Sequence, residues 1–353
     1  MFNIRKHINN KKILPSLLVL FSLTACEGMF ESMIDDLESM EDAVCDTDTT
    51  YVDFKKVGYW NGNDRDNLDD VDYEQLTYLL YTYLTVNADG SLNDFDDAEM
   101  DDFADMISDA RTAGATVGIS IGGPGYASTF ETIANSSSIT NTFVNNVITF
   151  LEDNDLEGVD LNWQTPSDDD EGELFEDLVE ELSDSLWDDG YFFSISVISG
   201  VGDDDEDLAD VIDSSVFDYV DFVNVRAFDT DNSDDLHSSQ QDAIDAIDYW
   251  TGRCLIQNKL VLGIPLYSAG DSVDTYAEII DAKRAYACTD ESLDRNYNGI
   301  PTVIYKTDYA LSYAGGVMLM SLEQDTYKDS LLEYSLLNVM SETASGETVT
   351  LCD

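Results

Sequence analysis

Asp160, Asn162 and Gln164 stand at alternate positions of the stretch Leu156–Pro166, which reads Leu-Glu-Gly-Val-Asp-Leu-Asn-Trp-Gln-Thr-Pro; Val159, Leu161 and Trp163 alternate with them. A period of two is the pattern of a β-strand, so the three polar side chains share one face. A carboxylate and two primary amides in line can orient a polar ligand through hydrogen bonds, but neither amide has a proton to give at any working pH. Such a ladder is costly to bury without partners. It is therefore predicted to line a cleft or a polar-filled barrel interior.

Apolar, β-rich runs alternate with helical patterns on both sides of this stretch. Strands are predicted over Val52 to Trp60, Leu79 to Val86, Thr116 to Ile121, Phe192 to Ile198, Phe222 to Phe228, Lys259 to Leu266 and Gly315 to Leu322. Helices are predicted over Ala98 to Ala113, Thr140 to Asp153, Leu174 to Leu182, Asp242 to Thr251 and Leu331 to Met340. Strands separated by helices at this rate require parallel βα units, and eight of them fit a closed (β/α)8 TIM barrel in a single domain over residues 51–345. A doubly wound open sheet is the alternative.

The first residues form a leader, 1–25: Arg5, Lys6, Lys11 and Lys12 precede an apolar run from Ile13 to Leu23 that is too short to anchor a bilayer span. Leu23-Thr24-Ala25-Cys26 resembles the lipobox of bacterial lipoproteins, with Cys26 as the lipidated residue. The chain is accordingly expected to be exported and lipid-anchored at a bacterial cell envelope. An acidic tether, 26–50, follows, with Phe30, Met33, Ile34, Leu37 and Met40 at helical spacing. Net charge is −58, and removal of the four basic residues of the leader leaves −62. Such a surface repels nucleic acid and anionic lipid, which excludes those partners; lipid rather than charge would hold it to a membrane.

Four cysteines remain after Cys26: Cys45, Cys254, Cys288 and Cys352, the last in a short tail, 346–353. An even count in an exported chain suggests two disulfides, with three connectivities open. Positions near the two ends of the folded region favour Cys45 with Cys352, and hence Cys254 with Cys288. No CxxC spacing exists and the histidines are His7 and His237, so no metal site and no cofactor are expected.

In order along the chain come Val57-Gly58-Tyr59, Leu76-Thr77-Tyr78 leading into Tyr81-Thr82-Tyr83, Ser120-Ile121-Gly122-Gly123, Glu157 to Gln164, Asp221 to Val225, Leu262-Gly263-Ile264-Pro265-Leu266-Tyr267 and Gly315-Gly316-Val317-Met318. In these motifs the chain resembles glycoside hydrolase family 18, the chitinase and chitinase-like group, with Glu157 to Gln164 against its DGxDxDxE signature. The resemblance implies a (β/α)8 barrel and substrate-assisted hydrolysis of β-1,4-linked N-acetylglucosamine. In that chemistry a glutamic acid protonates the leaving oxygen, while an aspartate and a tyrosine orient the acetamido group that attacks C1.

Against that pattern the acid position is Gln164, the orienting aspartate is Asn162, the strand-six tyrosine is Phe228 and an expected tryptophan is Met320. The resemblance therefore implies a degenerate catalytic motif with no catalytic residue. Tyr59, Trp60, Asp160, Asn162, Gln164, Arg226, Phe228 and Asp229 are the candidate carbohydrate-binding residues. Arg226 and Phe228 share a face by alternation, and Arg226 is expected to neutralise Asp160 or Asp229 across the barrel. Acidic runs at Asp168 to Glu171, Asp203 to Asp207, and Asp229, Asp231, Asp234 and Asp235 are expected in loops around the mouth. They would favour a neutral or cationic oligo- or polysaccharide, or simply share an acidic surface. The segment from Tyr267 to Lys306 leaves no room for an α+β insertion domain, so a shallow cleft is expected.

The leading expectation is an inactive, glycan-binding or envelope-scaffold barrel. Two alternatives stand beside it. One is an active chitinase-like glycosidase whose acid has moved to Asp229, Asp160 or Glu323; the other is a purely structural barrel whose pocket Arg226 and Met320 close.

Overall fold

The computed structural model describes residues 45, 53–61, 68–93, 95–229, 237–270, 273–292 and 295–352. The leader with Cys26, the tether apart from Cys45, and Asp231, Asp234 and Asp235 lie outside the described residues.

Eight parallel strands close into a barrel: β1 (Lys55–Asn61), β2 (Tyr78–Leu84), β3 (Thr116–Gly123), β4 (Gly158–Trp163), β5 (Phe192–Ile198), β6 (Phe222–Arg226), β7 (Leu260–Pro265) and, after three short strands outside the barrel, β11 (Gly316–Met320). The order around the barrel is β1-β11-β7-β6-β5-β4-β3-β2. The three short strands are β8 (Ala269–Gly270), β9 (Glu291–Ser292) and β10 (Arg295–Asn296), which pair as a small antiparallel sheet. Helices lie between and after the strands: α1 (Asp97–Ala113), α2 (Ala127–Ala134), α3 (Ser137–Asp153), α4 (Asp169–Asp189), α5 (Asp203–Ala209), α6 (Gln240–Gly252), α7 (Tyr276–Ala282), α8 (Ile300–Tyr313) and α9 (Leu336–Ala344). Cys45–Asp353 is one compact unit.

Alternation along each strand divides the apolar residues into two cores. Val159, Leu161 and Trp163 of β4, with Val223 and Val225 of β6, face the large core between strands and helices. Val57, Tyr59, Leu80, Phe222, Phe228, Val261 and Met318 fill a smaller cluster that also draws in Tyr78, Phe192, Tyr267 and Met320. Where β2, β5 and β6 begin, Tyr78 packs against Phe192 at 5.2 Å and Phe222 at 4.9 Å between ring centroids. Gly158 makes room for that layer, since a Cβ there would fall 2.3 Å from the Phe192 ring.

The sequence pattern locates every barrel strand to within a few residues, but not every helix. The inner face of α8 includes Thr302, Lys306 and Thr307, which hides its apolar period. The run Asp203 to Asp207 forms α5 rather than a loop, and Asp168 is the N-cap of α4, accepting from the Glu171 amide at 3.0 Å. Carboxylates in a first helical turn are stabilised by the helix dipole and by free amides. Part of the predicted acidic rim thus starts helices. Among the described residues between β7 and α8 the chain adds the small sheet of β8, β9 and β10 and the helix α7.

The disulfide pairing differs from the expected one. Cys45 bonds Cys254, and Cys288 bonds Cys352. Cys254 ends the turn after α6, just before β7, on the face where the strands begin; this is also where the chain enters β1. Nearness to the two ends of the sequence is the wrong guide, because barrel closure brings β7 to within one strand of β1. Peptide mapping under non-reducing conditions is expected to recover these two cross-links, and Cys288→Ser with Cys352→Ser should cost about 2–5 kcal/mol in denaturant unfolding.

Candidate functional site at the barrel mouth

Gly158, Asp160 and Asn162 take the inward face of β4, as the alternation predicts. Asp160 has no exposed surface. Strand register places Ser120 of β3 and Ser194 of β5 beside it. Its carboxylate accepts from Ser120 Oγ at 2.7 Å, Ser194 Oγ at 2.9 Å, Ser196 Oγ at 3.2 Å and Asn224 Nδ2 at 3.1 Å. Burial pushes the Asp160 carboxyl above its ordinary pKa, and these donors pull against that shift. Tyr59 closes the cluster with its hydroxyl 3.0 Å from Ser196 Oγ; burial, then the adjacent Asp160, push its pKa well up.

Above this node Asn162 is still buried, and the groups beyond it are more open. Asn162 is 1% exposed with no hydrogen-bond partner on Oδ1 among the described residues, and Gln164, past the end of β4, is partly exposed. Arg226 projects from the end of β6, its guanidinium 5.5 Å from the Phe228 ring centroid. Its Nη2 lies 4.0 Å from Asp229 Oδ2. Of its two expected partners Arg226 therefore meets Asp229, while Asp160 is satisfied from the barrel wall. Tyr267, on the chain after β7, donates its hydroxyl to Asp229 Oδ2 at 2.6 Å, and burial ahead of that carboxylate raises its pKa. Tyr83 belongs to the same group: burial pushes its hydroxyl up to about 12 against the pull of Arg226. Its ring crosses Gly123, where a Cβ would come within 2.8 Å.

Ser238, ahead of α6, is held from below. Lys306 of α8 is fully buried and donates to Ser238 O and Oγ, both at 2.6 Å, and to Asn298 Oδ1 at 2.7 Å. Burial lowers its pKa to about 7. His237 beside it has Nδ1 3.8 Å from Asp229 Oδ1 and borders a cavity of about 330 Å³ between residues 237–241 and 290–302.

Gln164, Arg226, Asp229 and Tyr267 keep exposed or partly exposed surface where the strands end, whereas Asn162 and the other candidates are buried. Tyr59 and Trp60 are each 1% exposed and Phe228 is 3% exposed, leaving no ring face for a sugar. Tyr59 is turned into the Asp160 cluster, Trp60 packs outward in the helix layer, and Phe228 lies against Gly263, where a Cβ would sit 2.7 Å from the ring. Asp160 holds the barrel together and does not face a ligand. Glu323 is 8% exposed, and its oxygens accept from the Asn61 amide at 3.0 Å and Ser321 Oγ at 2.5 Å. Ser194, Ser196 and Asn224 are functional neighbours that the sequence reading does not single out; their period-two polarity on β5 and β6 is the signal that could find them. Tyr83 stands in the Tyr81-Thr82-Tyr83 motif without being singled out, and His237 carries no such signal.

Residues 55–325, well over half the chain, match the profile described as "Glycosyl hydrolases family 18". The chain belongs to glycosyl hydrolase family 18. Among curated relatives, this family 18 chain is 22% identical over 269 residues to Chitinase 1 of Aphanocladium album, covering 65% of this chain and 60% of the relative. It is 27% identical over 236 residues to Probable chitinase 10 of Drosophila melanogaster, covering 56% of this chain and 10% of that one. The chain thus spans less than two thirds of both. Among solved structures, the family 18 chitinase ChiB of Flavobacterium johnsoniae superposes with a TM-score of 0.72 at 24% identity, covering 84% of this chain and 95% of that one. A chitinase-like agglutinin from Robinia pseudoacacia gives 0.72 at 19% identity, over 82% and 99%. These likenesses establish the barrel.

Two measurements check the site. Asp160→Ala strands buried donors on several strands and should cost about 3–5 kcal/mol in denaturant unfolding. His237 has its pKa lowered by burial from 6.5 to about 4, so between those values the folded chain binds fewer protons here than the unfolded chain. The stability conferred is complete above pH 6.5 and is lost as pH falls toward 4, on the order of 3 kcal/mol. His237→Gln should remove that component from a pH series of unfolding midpoints.

Proposed function

We propose that this family 18 chain binds a β-1,4-linked N-acetylglucosamine glycan without hydrolysing it, as an exported protein anchored at the cell envelope through lipid on Cys26. The carrying observation is Gln164, a primary amide at the end of β4 where the family's signature ends in its acid. General acid catalysis supplies about two to four orders of magnitude in rate, and an amide cannot supply it. Asn162 adds no negative charge to balance a cationic oxazolinium-like intermediate, and Phe228 offers no hydroxyl to the acetamido group. The alternative acids are poorly placed to protonate a leaving oxygen. Asp160 is sealed in its cluster, Glu323 is held at both oxygens, and Asp229 is engaged by Tyr267 beside Arg226.

Glycan binding needs no acid. A mutant family 18 chitinase from Cycas revoluta, with a glutamate replaced by glutamine among its two substitutions, was solved in complex with (GlcNAc)4; it superposes with a TM-score of 0.73 at 20% identity, over 82% of this chain and 99% of that one. Export is supported by the leader, the lipobox-like Leu23-Thr24-Ala25-Cys26 and two disulfides, which persist in oxidising compartments.

Purified protein is expected to bind (GlcNAc)4 in calorimetry while releasing no product from it. Asp229→Ala should weaken binding by about tenfold, because one charge-assisted partner is lost at the mouth. Gln164→Glu with Asn162→Asp should raise hydrolysis by about a hundredfold over the unmodified chain. Turnover by the unmodified chain would overturn the proposal. Neutral and partly deacetylated oligosaccharides should bind more tightly than uronic-acid oligomers, since the chain repels anions.

A further inference from the structure

Away from the mouth, α8 carries Tyr305, Tyr309 and Tyr313 at four-residue intervals, which places them on one stripe of the helix. Tyr305 and Tyr313 are 38% and 52% exposed. The rings of Tyr305 and Tyr309 are parallel to within 8° with centroids 6.2 Å apart, and those of Tyr309 and Tyr313 are 4.5 Å apart at 37°. Tyr305 and Tyr313 stand off the inward side of α8, which is made by Ile300, Thr302, Val303, Lys306, Thr307 and Ala310, while Tyr309 between them is partly buried and packs against the core. α6 packs alongside α8, and its exposed Asp245 and Asp248 approach Tyr309 closely enough to add to the burial that raises its pKa. Asp308, also exposed, lies on α8 itself.

We infer that this α6–α8 face is a second binding surface, for a cationic glycan: a polymer of β-linked amino sugars bearing free amino groups. Exposed aromatic rings take the apolar faces of pyranoses, and ammonium groups are drawn both to ring faces and to the flanking carboxylates. A second copy of the chain is a poor occupant, because a net charge of −58 repels itself. Anionic polymers are excluded on the same ground. The choice of a glycan over a basic peptide rests on the function proposed above.

The test is calorimetry of the full chain with a soluble glucosamine oligomer at mildly acidic pH and low salt. The triple variant Tyr305→Ala, Tyr309→Ala, Tyr313→Ala should bind about tenfold or more weakly, and Asp245→Asn with Asp248→Asn about threefold more weakly. Added salt should weaken the native interaction. Asp229→Ala at the mouth should leave the stripe's contribution intact: the triple substitution should cost the same factor in its presence. Circular dichroism confirms that each variant is folded; should the triple variant fail there, the aspartate pair decides. Absence of binding by the native chain, or affinity within about twofold of native in both stripe variants, overturns the inference. So does polylysine binding as tightly as the oligomer with the same dependence on the tyrosines. The (GlcNAc)4 titration of Asp229→Ala reports on the mouth alone, so either surface can fail without the other.

Discussion

Asp160 sits inside the barrel with no exposed surface, and the strands around it are built to satisfy it. Ser120 from β3, Ser194 and Ser196 from β5, and Asn224 from β6 all donate to one carboxylate, with Tyr59 from β1 one hydroxyl further on. A buried carboxylate left without these donors would be intolerable, and the same side chains fit only one pairing register. Chemistry at the opening is arranged on top of this node. Asn162 projects one step higher on the same face of β4, and Arg226 one step above Asn224 on β6. The frame is satisfied within itself and does not depend on which side chains stand above the node.

The barrel was legible in the sequence because its strands are short apolar runs between helices, and the polar ladder of β4 announced an inward face. The candidates that turned away from the opening failed for a different reason. Alternation states that Tyr59 and Trp60 point to opposite sides, but not that the inward one is consumed by a hydroxyl network. Arg226 illustrates the same boundary: pattern placed it inward, and only three-dimensional packing chose Asp229 over Asp160 as its partner. The roles of Tyr83, present in a quoted motif, and of His237 were silent because their neighbours come from segments distant in sequence. The missed helix α8 carries Lys306 on its inner face, a residue that periodicity counts as polar and the fold uses as a clamp on Ser238 and Asn298.

The acidity of the chain divides into parts with different physical roles. Asp168 and Asp242 satisfy amides at helix starts, while Asp290 accepts from the Gly299 amide and Thr302 hydroxyl where α8 begins. Asp160 and Asp325 are sealed within the fold, the latter accepting from the amides of Leu336 and Leu337 and the Ser335 hydroxyl. Excess surface charge keeps chains apart and tunes which ligands approach. Few of these carboxylates therefore need a ligand of their own to account for them.

The Cys45–Cys254 bond also has a mechanical meaning. Tension applied to the chain before residue 45 cannot peel β1 from β2 and β11 one residue at a time, since the covalent path bypasses β1 and delivers the load to the turn ahead of β7. The 209-residue interval between the two cysteines becomes a closed loop that pulling cannot lengthen. Through that bond, a protein held by its N-terminal segment would take the load at the start of β7 rather than at the start of β1.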